Sequence, residues 1–231
     1  MSYLWQEFNI KTFPAETLVF RDSVFYEDLS DYKNIEFDTD KNIISVNKTP
    51  KLPIHIIYIG EISGNIDLNI NLNSNNTDVF LDLKTICKKP AFLNIFIKNT
   101  GKNSVFNGKI IIKNHSDLKI NINGENLSAN TGIFVNTKIA AYKNSKNYMC
   151  GISKIDKNCS KCKSDISFSC IADENSVITM KPVQYIKSVP ENASHSASIY
   201  KPNDNQIYYL KTSGLSDDEV KNILEQAFLE E

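Results

Sequence analysis

The sequence contains few of the features that mark membrane, secreted or multi-domain proteins. Only 8 glycines and 7 prolines occur in 231 residues, so no flexible linker divides the chain, and we expect one domain with or without an appendage. No apolar run approaches the ~20 residues that cross a bilayer. The N-terminal residues lack the basic and apolar regions of a signal peptide. We therefore expect a cytoplasmic protein with no membrane partner.

The chain also lacks an excess of either charge and the common catalytic motifs. Its formal net charge is −1, so no strong field exists that would attract nucleic acid. It contains no Gly-rich phosphate loop, no G-x-S-x-G or H-E-x-x-H motif and no convincing carboxylate pair. We therefore expect neither a nucleic-acid partner nor enzymatic activity. The abundance of Asn, Ile and Lys is interpreted as compositional bias.

Short strands dominate the sequence between residues 35 and 200. Apolar and polar residues alternate in segments 65–72, 118–122 and 166–170, and a period of two residues is typical of strands with one buried face. No helical period occurs in this region. Without helices to serve as crossovers, the expected architectures are a sandwich, a barrel or a β-solenoid.

A weak internal repeat favours the solenoid. Residues 105–111 and 148–155 each contain an aromatic residue, a glycine and then an apolar run, at a spacing of about 43 residues. We interpret this spacing as two turns of a β-helix.

The end of the chain predicts two helices, at 203–212 and 216–229. Ser216 and Glu219 form a capping box, in which each side chain reaches the other residue's backbone N–H. Gly214 is placed to end the preceding helix. An apolar stripe follows the capping box, at Val220, Ile223, Leu224, Ala227 and Phe228. The stripe either packs on its own domain or docks a partner, and the sequence pattern is compatible with both roles.

Four of the five cysteines, Cys150, Cys159, Cys162 and Cys170, fall within a short segment. The C-x-x-C pair at 159 and 162 can chelate one tetrahedral ion, and the other two thiolates could complete the site. Zinc ribbons, however, usually combine two such pairs. The alternative is that Cys150 and Cys170 are core thiols while Cys159 and Cys162 occupy an exposed turn.

The three histidines have different settings. His55 lies in a buried-strand pattern and His115 in a polar turn, whereas His195 lies between Ser194 and Ser196 just before the predicted helices. His195 is therefore the histidine to consider as a ligand.

The C-terminal part resembles the SufB/SufD family of iron–sulfur cluster assembly proteins. Segments 191–198, 206–210, 213–219 and 227–229 follow the order of the family's tail: a small-residue and histidine motif, a Q-(L/I)-F-Y-L helix, an S-R-G turn and an acidic-capped helix. Upstream, the aromatic–Gly–Ile repeats at 106–111 and 148–155 resemble the family's strand repeats, and the segment 53–56 resembles the start of its core domain.

The resemblance implies a right-handed parallel β-helix core with a small C-terminal helical appendage. Its divisions would be an N-terminal segment (1–34), the β-helix core (35–200) and a helical ATPase-docking region (201–231). It also implies two partners: an ABC-type ATPase of the SufC kind, and a second copy or a family paralogue that pairs through the β-helix ends. The residues expected to dock the ATPase are Ile207, Tyr208, Leu210, Leu215, Val220, Ile223, Leu224 and Phe228.

The same resemblance implies a transient iron–sulfur cluster at the dimer junction. Cys170 falls near the junction cysteine of SufB, and His195 matches the family's histidine. A thiolate and an imidazole both suit iron. Weaker candidate ligands are Cys150, Cys159, Cys162 and Glu191.

The chain also departs from the family's pattern. Serines replace the acidic residues that flank the histidine in SufB, as in SufD, and the arginine of the S-R-G turn is missing from 212–214. Cys87 is the only upstream candidate for the sulfur-accepting cysteine of SufB.

The sequence thus predicts a non-enzymatic scaffold subunit of a SUF-type assembly complex. One alternative is a SufD-like stabilising or regulatory paralogue that holds no cluster of its own. Another is a β-helical carbohydrate-binding protein or enzyme.

Overall fold

A computed structural model describes most of the chain. The described residues are 17–21, 24–28, 35–38, 42–142, 144–173 and 175–230. The remainder of the predicted N-terminal segment, at 1–16, 22–23 and 29–34, lies outside the described residues. Within that segment, residues 17–21 form a strand that pairs in parallel with the core.

The described elements are thirteen strands followed by two helices. The strands are β1 (Thr17–Arg21), β2 (Val24–Asp28), β3 (Ile35–Asp38), β4 (Ile43–Val46), β5 (Ile54–Leu72), β6 (Asp78–Asn99), β7 (Val105–Asn114), β8 (Asp117–Asn126), β9 (Gly132–Ala141), β10 (Lys146–Ile155), β11 (Lys163–Ala172), β12 (Val177–Ile186) and β13 (Asn192–Tyr200). The helices are α1 (Asp204–Thr212) and α2 (Asp217–Glu230). Neither has the length and apolarity needed to cross a bilayer.

The strands form a solenoid of about six turns. It has two faces, and the strands within each face pair in parallel. The first face carries β1, the amino-terminal parts of β5 and β6, and then β7, β9, β11 and β13. The second carries β4, the carboxyl-terminal parts of β5 and β6, and then β8, β10 and β12. The predicted parallel β-helix core with a C-terminal helical appendage is confirmed.

Alternating side chains build the core between the two faces. Along β7 every second residue is buried, and β10 and β11 repeat this pattern. Because neighbouring strands are parallel and in register, each inward side chain stacks on its counterpart in the next coil. One column on the second face runs through Leu68, Ile95 and Ile122. The alternation predicted for 65–72, 118–122 and 166–170 is confirmed, and their apolar members are buried.

Asparagines hold the corners between strands. Asn76, Asn103 and Asn130 adopt positive φ angles of 52°, 57° and 57°, a region that Asn enters more readily than most residues. Their amides form a ladder in which Asn103 donates to Asn76 (3.0 Å) and Asn130 donates to Asn103 (2.9 Å). Interpreting the abundance of Asn as compositional bias was therefore wrong for these residues.

The solenoid repeats at a shorter interval than the sequence analysis predicted. From β4 onward, equivalent positions in adjacent coils are 25 to 31 residues apart. Gly108 in β7 and Gly151 in β10, which define the proposed repeat, lie on opposite faces. Their spacing of about 43 residues thus corresponds to one and a half coils, and the prediction of two turns was wrong.

The carboxyl-terminal end of the solenoid is formed by β12 and β13, each paired on one side only among the described strands. Ile186 and Ile199 in this last coil are 43% and 58% exposed. Pro182 lies within β12, opposite Gly151, and proline is confined to edge strands because it cannot donate to a ladder. The last coil is thus an open edge with apolar side chains.

Both helices begin at reciprocal caps. At α1, Asn203 accepts from the Gln206 backbone N–H (2.7 Å), and the Gln206 side chain accepts from that of Asn203 (3.1 Å). At α2, the Ser216 N–H donates to Glu219 (2.8 Å). The predicted helices and the Ser216–Glu219 capping box are confirmed to within one residue.

Two glycines test the corner geometry. A Cβ on Gly101 would lie 1.8 Å from the Ser74 carbonyl oxygen, whereas Gly64 has a positive φ (+66°) and open space around it. Gly101→Ala should therefore lower the free energy of unfolding by about 3 kcal/mol or more, since backbone must move. Gly64→Ala should cost only about 1 kcal/mol, from its left-handed backbone. Urea unfolding measures both, and equal losses would contradict the clash at Gly101.

Candidate functional site

His195 lies on the open edge of the solenoid. It sits in β13 and pairs with Ile166 of β11, a residue that points into the core. Its side chain therefore belongs to the inward row of the last coil. Because no further coil of the described part of the chain covers that row, His195 is exposed. The imidazole is accessible to a ligand or to a partner at this end.

Cys170 lies inside the solenoid rather than on its surface. It is completely buried in β11, and Ile199 of β13 is its register partner on the open side. Burial raises the pKa of the Cys170 thiol to about 12, because the thiolate would lose its hydration. Four strand positions separate Cys170 from the partner of His195, or about 13 Å at ~3.3 Å per residue. Within one chain the two side chains do not converge on one ion.

Cys159 and Cys162 are buried at a corner of the solenoid. The Cys159 thiol donates to the Asn126 carbonyl (2.9 Å), and the Cys162 thiol donates to that of Ser128 (3.0 Å). Cys162 is also hydrogen-bonded to Thr131 (3.3 Å). Burial, with Cys162 adjacent, raises the pKa of Cys159 to about 12. The expectation of an exposed turn was wrong: both thiols are buried and donate to corner carbonyls.

The other candidates are dispersed. Cys150 faces outward on the second face, beside Lys181, and is half-buried, so its placement in the core was wrong. Cys87 is buried on the first face, and burial raises its pKa to about 11. Glu191 is exposed and pairs with Lys163 (2.9 Å). Among the described residues, no group of three or more His, Cys, Asp and Glu side chains converges on one point.

The predicted docking residues divide between two surfaces. Val220 and Phe228 are buried against the outer side of the first face, where Phe228 and Leu229 cluster with Ala140. Tyr208 and Ile223, in contrast, are 70% and 40% exposed. The half-buried members are Ile207, Leu210, Leu215 and Leu224. Part of the apolar stripe thus packs on the chain's own solenoid, and the rest is accessible.

Polar anchors that the sequence analysis missed hold α2 in place. Lys138 donates to the Phe228 carbonyl (2.8 Å), near the C-terminus of the helix where a cation is favourable. Glu225 is 5% exposed and accepts from the Tyr142 hydroxyl (2.6 Å), with Lys113 at 2.9 Å. The pKa of Tyr142 is raised, chiefly because its hydroxyl is buried and also because the Glu225 carboxylate is adjacent. A glutamate in the middle of an apolar stripe was the available signal for such a buried pair.

A cleft remains beneath the helical pair. It has a volume of about 240 Å³ and lies between Ile207 of α1, Val220 and Leu224 of α2, and Ala141 and Ile171 of the solenoid. Helix α1 buries none of its residues. The helical pair is thus anchored through α2, near its start by the Lys221–Asp173 ion pair (2.6 Å) as well as by its carboxyl-terminal half.

A family model described as "SUF system FeS cluster assembly, SufBD core domain" matches residues 68–228. The chain belongs to this family. No curated protein matches its sequence. The matched region spans most of the solenoid and nearly all of the helical pair, so SufBD membership rests on the whole architecture and not on the tail motif alone. It supports a role in SUF iron–sulfur cluster assembly.

Thiol accessibility distinguishes the cysteines of this SufBD protein. Alkylation of the native chain at pH 8 should show one fast-reacting thiol, at Cys150, because burial shields the other four and holds the thiols of Cys87, Cys159 and Cys170 protonated. Mass spectrometry after a short exposure to iodoacetamide measures this. Cys150→Ser should remove the fast phase and Cys170→Ser should not. Fast labelling at Cys170 would contradict its burial.

Proposed function

We propose that the chain is a scaffold subunit of a SUF-type iron–sulfur cluster assembly complex. In this role it docks an ABC-type ATPase of the SufC kind through its helical pair, and it pairs with a second family subunit through the open edge of the solenoid. The observation that carries the proposal is the SufBD core match across both regions. The chain itself is proposed to be non-enzymatic.

The accessible side of the helical pair supports the docking step. Tyr208 and Tyr209 of α1 are each 70% exposed, and Ile223 of α2 is 40% exposed. Large exposed aromatic and aliphatic side chains on a helical pair suit insertion into a groove of a partner. The ATPase surface would therefore contact these residues and not the buried members of the stripe.

The open edge of the solenoid supports the pairing step. Among the strands that the structure describes, β13 has a partner on one edge only, and exposed edges are templates for pairing with another chain. Ile186 and Ile199 lie in the same coil and are exposed. A second subunit on this edge, either another copy or a paralogue, would bury both the backbone groups and the apolar side chains.

The cluster is treated as cargo held at that junction. His195 is exposed there, and Cys170 lies one strand away beneath Ile199. Because these two side chains are about 13 Å apart along the strand direction, ligands from the second subunit would have to complete the site. Iron binding would displace the thiol proton of Cys170, so metal affinity should rise with pH.

A SufD-like role without a cluster is the second candidate. It is favoured by the complete burial of Cys170 and its pKa of about 12. The serines on either side of His195 also offer no carboxylate ligand. In this role the chain docks the ATPase and supports a second subunit that holds the cluster.

Anaerobic reconstitution with iron and sulfide separates these two roles. Under the scaffold proposal, wild-type protein binds a cluster, and the double variant Cys170→Ser with His195→Ala loses more than half of the bound iron. The double variant Cys150→Ser with His55→Ala is the matched control and should retain it. Visible absorbance and iron content measure the outcome. Equal binding by both variants would overturn the ligand assignment, and no binding by wild type would favour the SufD-like role.

Docking is tested with the purified ATPase subunit. The double variant Tyr208→Ala with Ile223→Ala should bind it roughly 30-fold more weakly, because truncating two interface anchors costs about 2 kcal/mol or more. Calorimetric titration measures the affinity. Val177→Ala, an exposed apolar residue of the solenoid, is the control. Neither docking residue is buried, so the unfolding midpoint should not change. Unaltered affinity in the double variant would refute this docking surface.

A further inference from the structure

We propose that the stacked pair Tyr200–Phe228 couples the docking of α2 to the position of the edge strand β13, and through β13 to His195. In this coupling Tyr200 is a positioning residue for β13. Its biological purpose rests on the proposed function, since the ATPase would act on the helices and the cluster would be handled at the edge.

Phe228 is one of the residues that hold α2 on the solenoid. Its ring stacks on that of Tyr200, with centroids 5.7 Å apart and planes 19° apart. The Lys138 ammonium lies 5.4 Å from the same ring centroid and donates to the Phe228 carbonyl at 2.8 Å. Ring, cation and backbone thus fix the end of the helix on the first face, and any displacement of α2 must disturb the Tyr200 ring.

Tyr200 connects the strand to both helices. Besides its stack on Phe228, its hydroxyl donates to the Gln206 side chain of α1 at 3.2 Å. It is the last residue of β13 and precedes α1 by only three residues. A displacement of either helix can therefore reach the carboxyl-terminal end of β13 through Tyr200.

β13 is held weakly enough to move when the helices are displaced. Among the described strands it pairs only with β11. Beyond that ladder, it is held by the Gln184 amide, which donates to the Ser194 carbonyl (2.7 Å), and by the Ser169–Ser198 hydroxyl pair (3.0 Å). Each repeat of a solenoid is stabilised by its neighbours, so a terminal coil with one neighbour opens most readily.

The helical pair is held unevenly along its length. A cleft of about 240 Å³ lies between the two helices and the solenoid, and α1 buries no residue. Helix α2 is held near its start by the Lys221–Asp173 ion pair (2.6 Å) and near its end by Phe228. Of these two contacts, the one at Phe228 reaches β13, through Tyr200. The Tyr200–Phe228 stack is therefore the short route from the exposed docking side to the inward row that contains His195.

Hydrogen exchange of the full chain tests the coupling without any partner. In Tyr200→Ala, backbone amides of residues 196–200 should exchange roughly two- to tenfold faster, the range expected from the loss of one aromatic pair. Exchange in β9 and β11 should stay at the wild-type rate. Tyr200→Phe keeps the ring and should behave as wild type. Tyr209→Ala, which removes an exposed tyrosine from α1, is the matched control.

A second measurement follows the imidazole itself. With ¹⁵N-labelled histidine, the His195 ring signals should shift in Tyr200→Ala and in Phe228→Ala, and they should match wild type in Tyr200→Phe. The signals of His55, far along the same face, should not move. A purely structural role for Tyr200 would leave the His195 ring signals in place once the strand is folded. If Tyr200→Ala does not fold, Tyr200→Leu keeps apolar contact without the ring.

Two outcomes would overturn the coupling. Wild-type exchange over 196–200 in Tyr200→Ala would show that the stack does not hold β13. Faster exchange spread evenly over β9, β11 and β13 would show a general loss of stability instead of a local link. Because neither measurement includes the ATPase, failure here is distinct from failure of the docking titration, and each proposal stands or falls separately.

Discussion

In-register parallel stacking is the constraint on which the rest of this structure depends. Each coil must return the chain to the same position relative to its neighbour, so the corners have to reverse direction within a few residues. Asn76, Asn103 and Asn130 do this with left-handed backbone and a shared amide ladder. Once the corners are set, like side chains stack on like, and the core becomes a series of columns instead of a collection of separate contacts.

That constraint explains why part of the fold could be predicted and part could not. A period of two is a property of each strand by itself, so the buried rows in 65–72 and 166–170 could be read directly. The coil length depends on the corners, and it varies between 25 and 31 residues per turn. A variable interval hides a repeat from simple comparison, and Gly108 and Gly151 matched only because both faces use glycine at crowded inward positions.

The same reasoning applies to the cysteines. A C-x-x-C spacing indicates that two thiols can contact the same ion, but it carries no information about the groups that surround them. Cys162 occupies the corner position that Ser104 and Thr131 hold in earlier coils, where a small donor is required. The stacked corner position therefore explains the presence of Cys162. The C-x-x-C spacing alone had indicated a metal ligand. The ordered tail motif, by contrast, was informative because it combined several elements in one order.

Amphipathic helices pose a related problem. The stripe on α2 predicted an apolar surface, but a stripe does not identify which surface covers it. Its buried members pack on the chain's own strands, whereas Ile223 remains exposed. Glu225 marks this division, since a buried carboxylate needs fixed partners such as Tyr142 and Lys113. Only the folded arrangement reveals that these partners come from the solenoid.

Pro182 makes the two strand edges at the open end of the solenoid different from each other. A stack of identical coils with free edges at its end could keep adding strands from other molecules and grow into a filament. Proline removes one donor from the β12 edge, while β13 has no such interruption. The two edges of the last coil are therefore unequal, and strand addition is favoured on one side of the molecule and hindered on the other. Such an asymmetry hinders open-ended strand addition at this end of the solenoid.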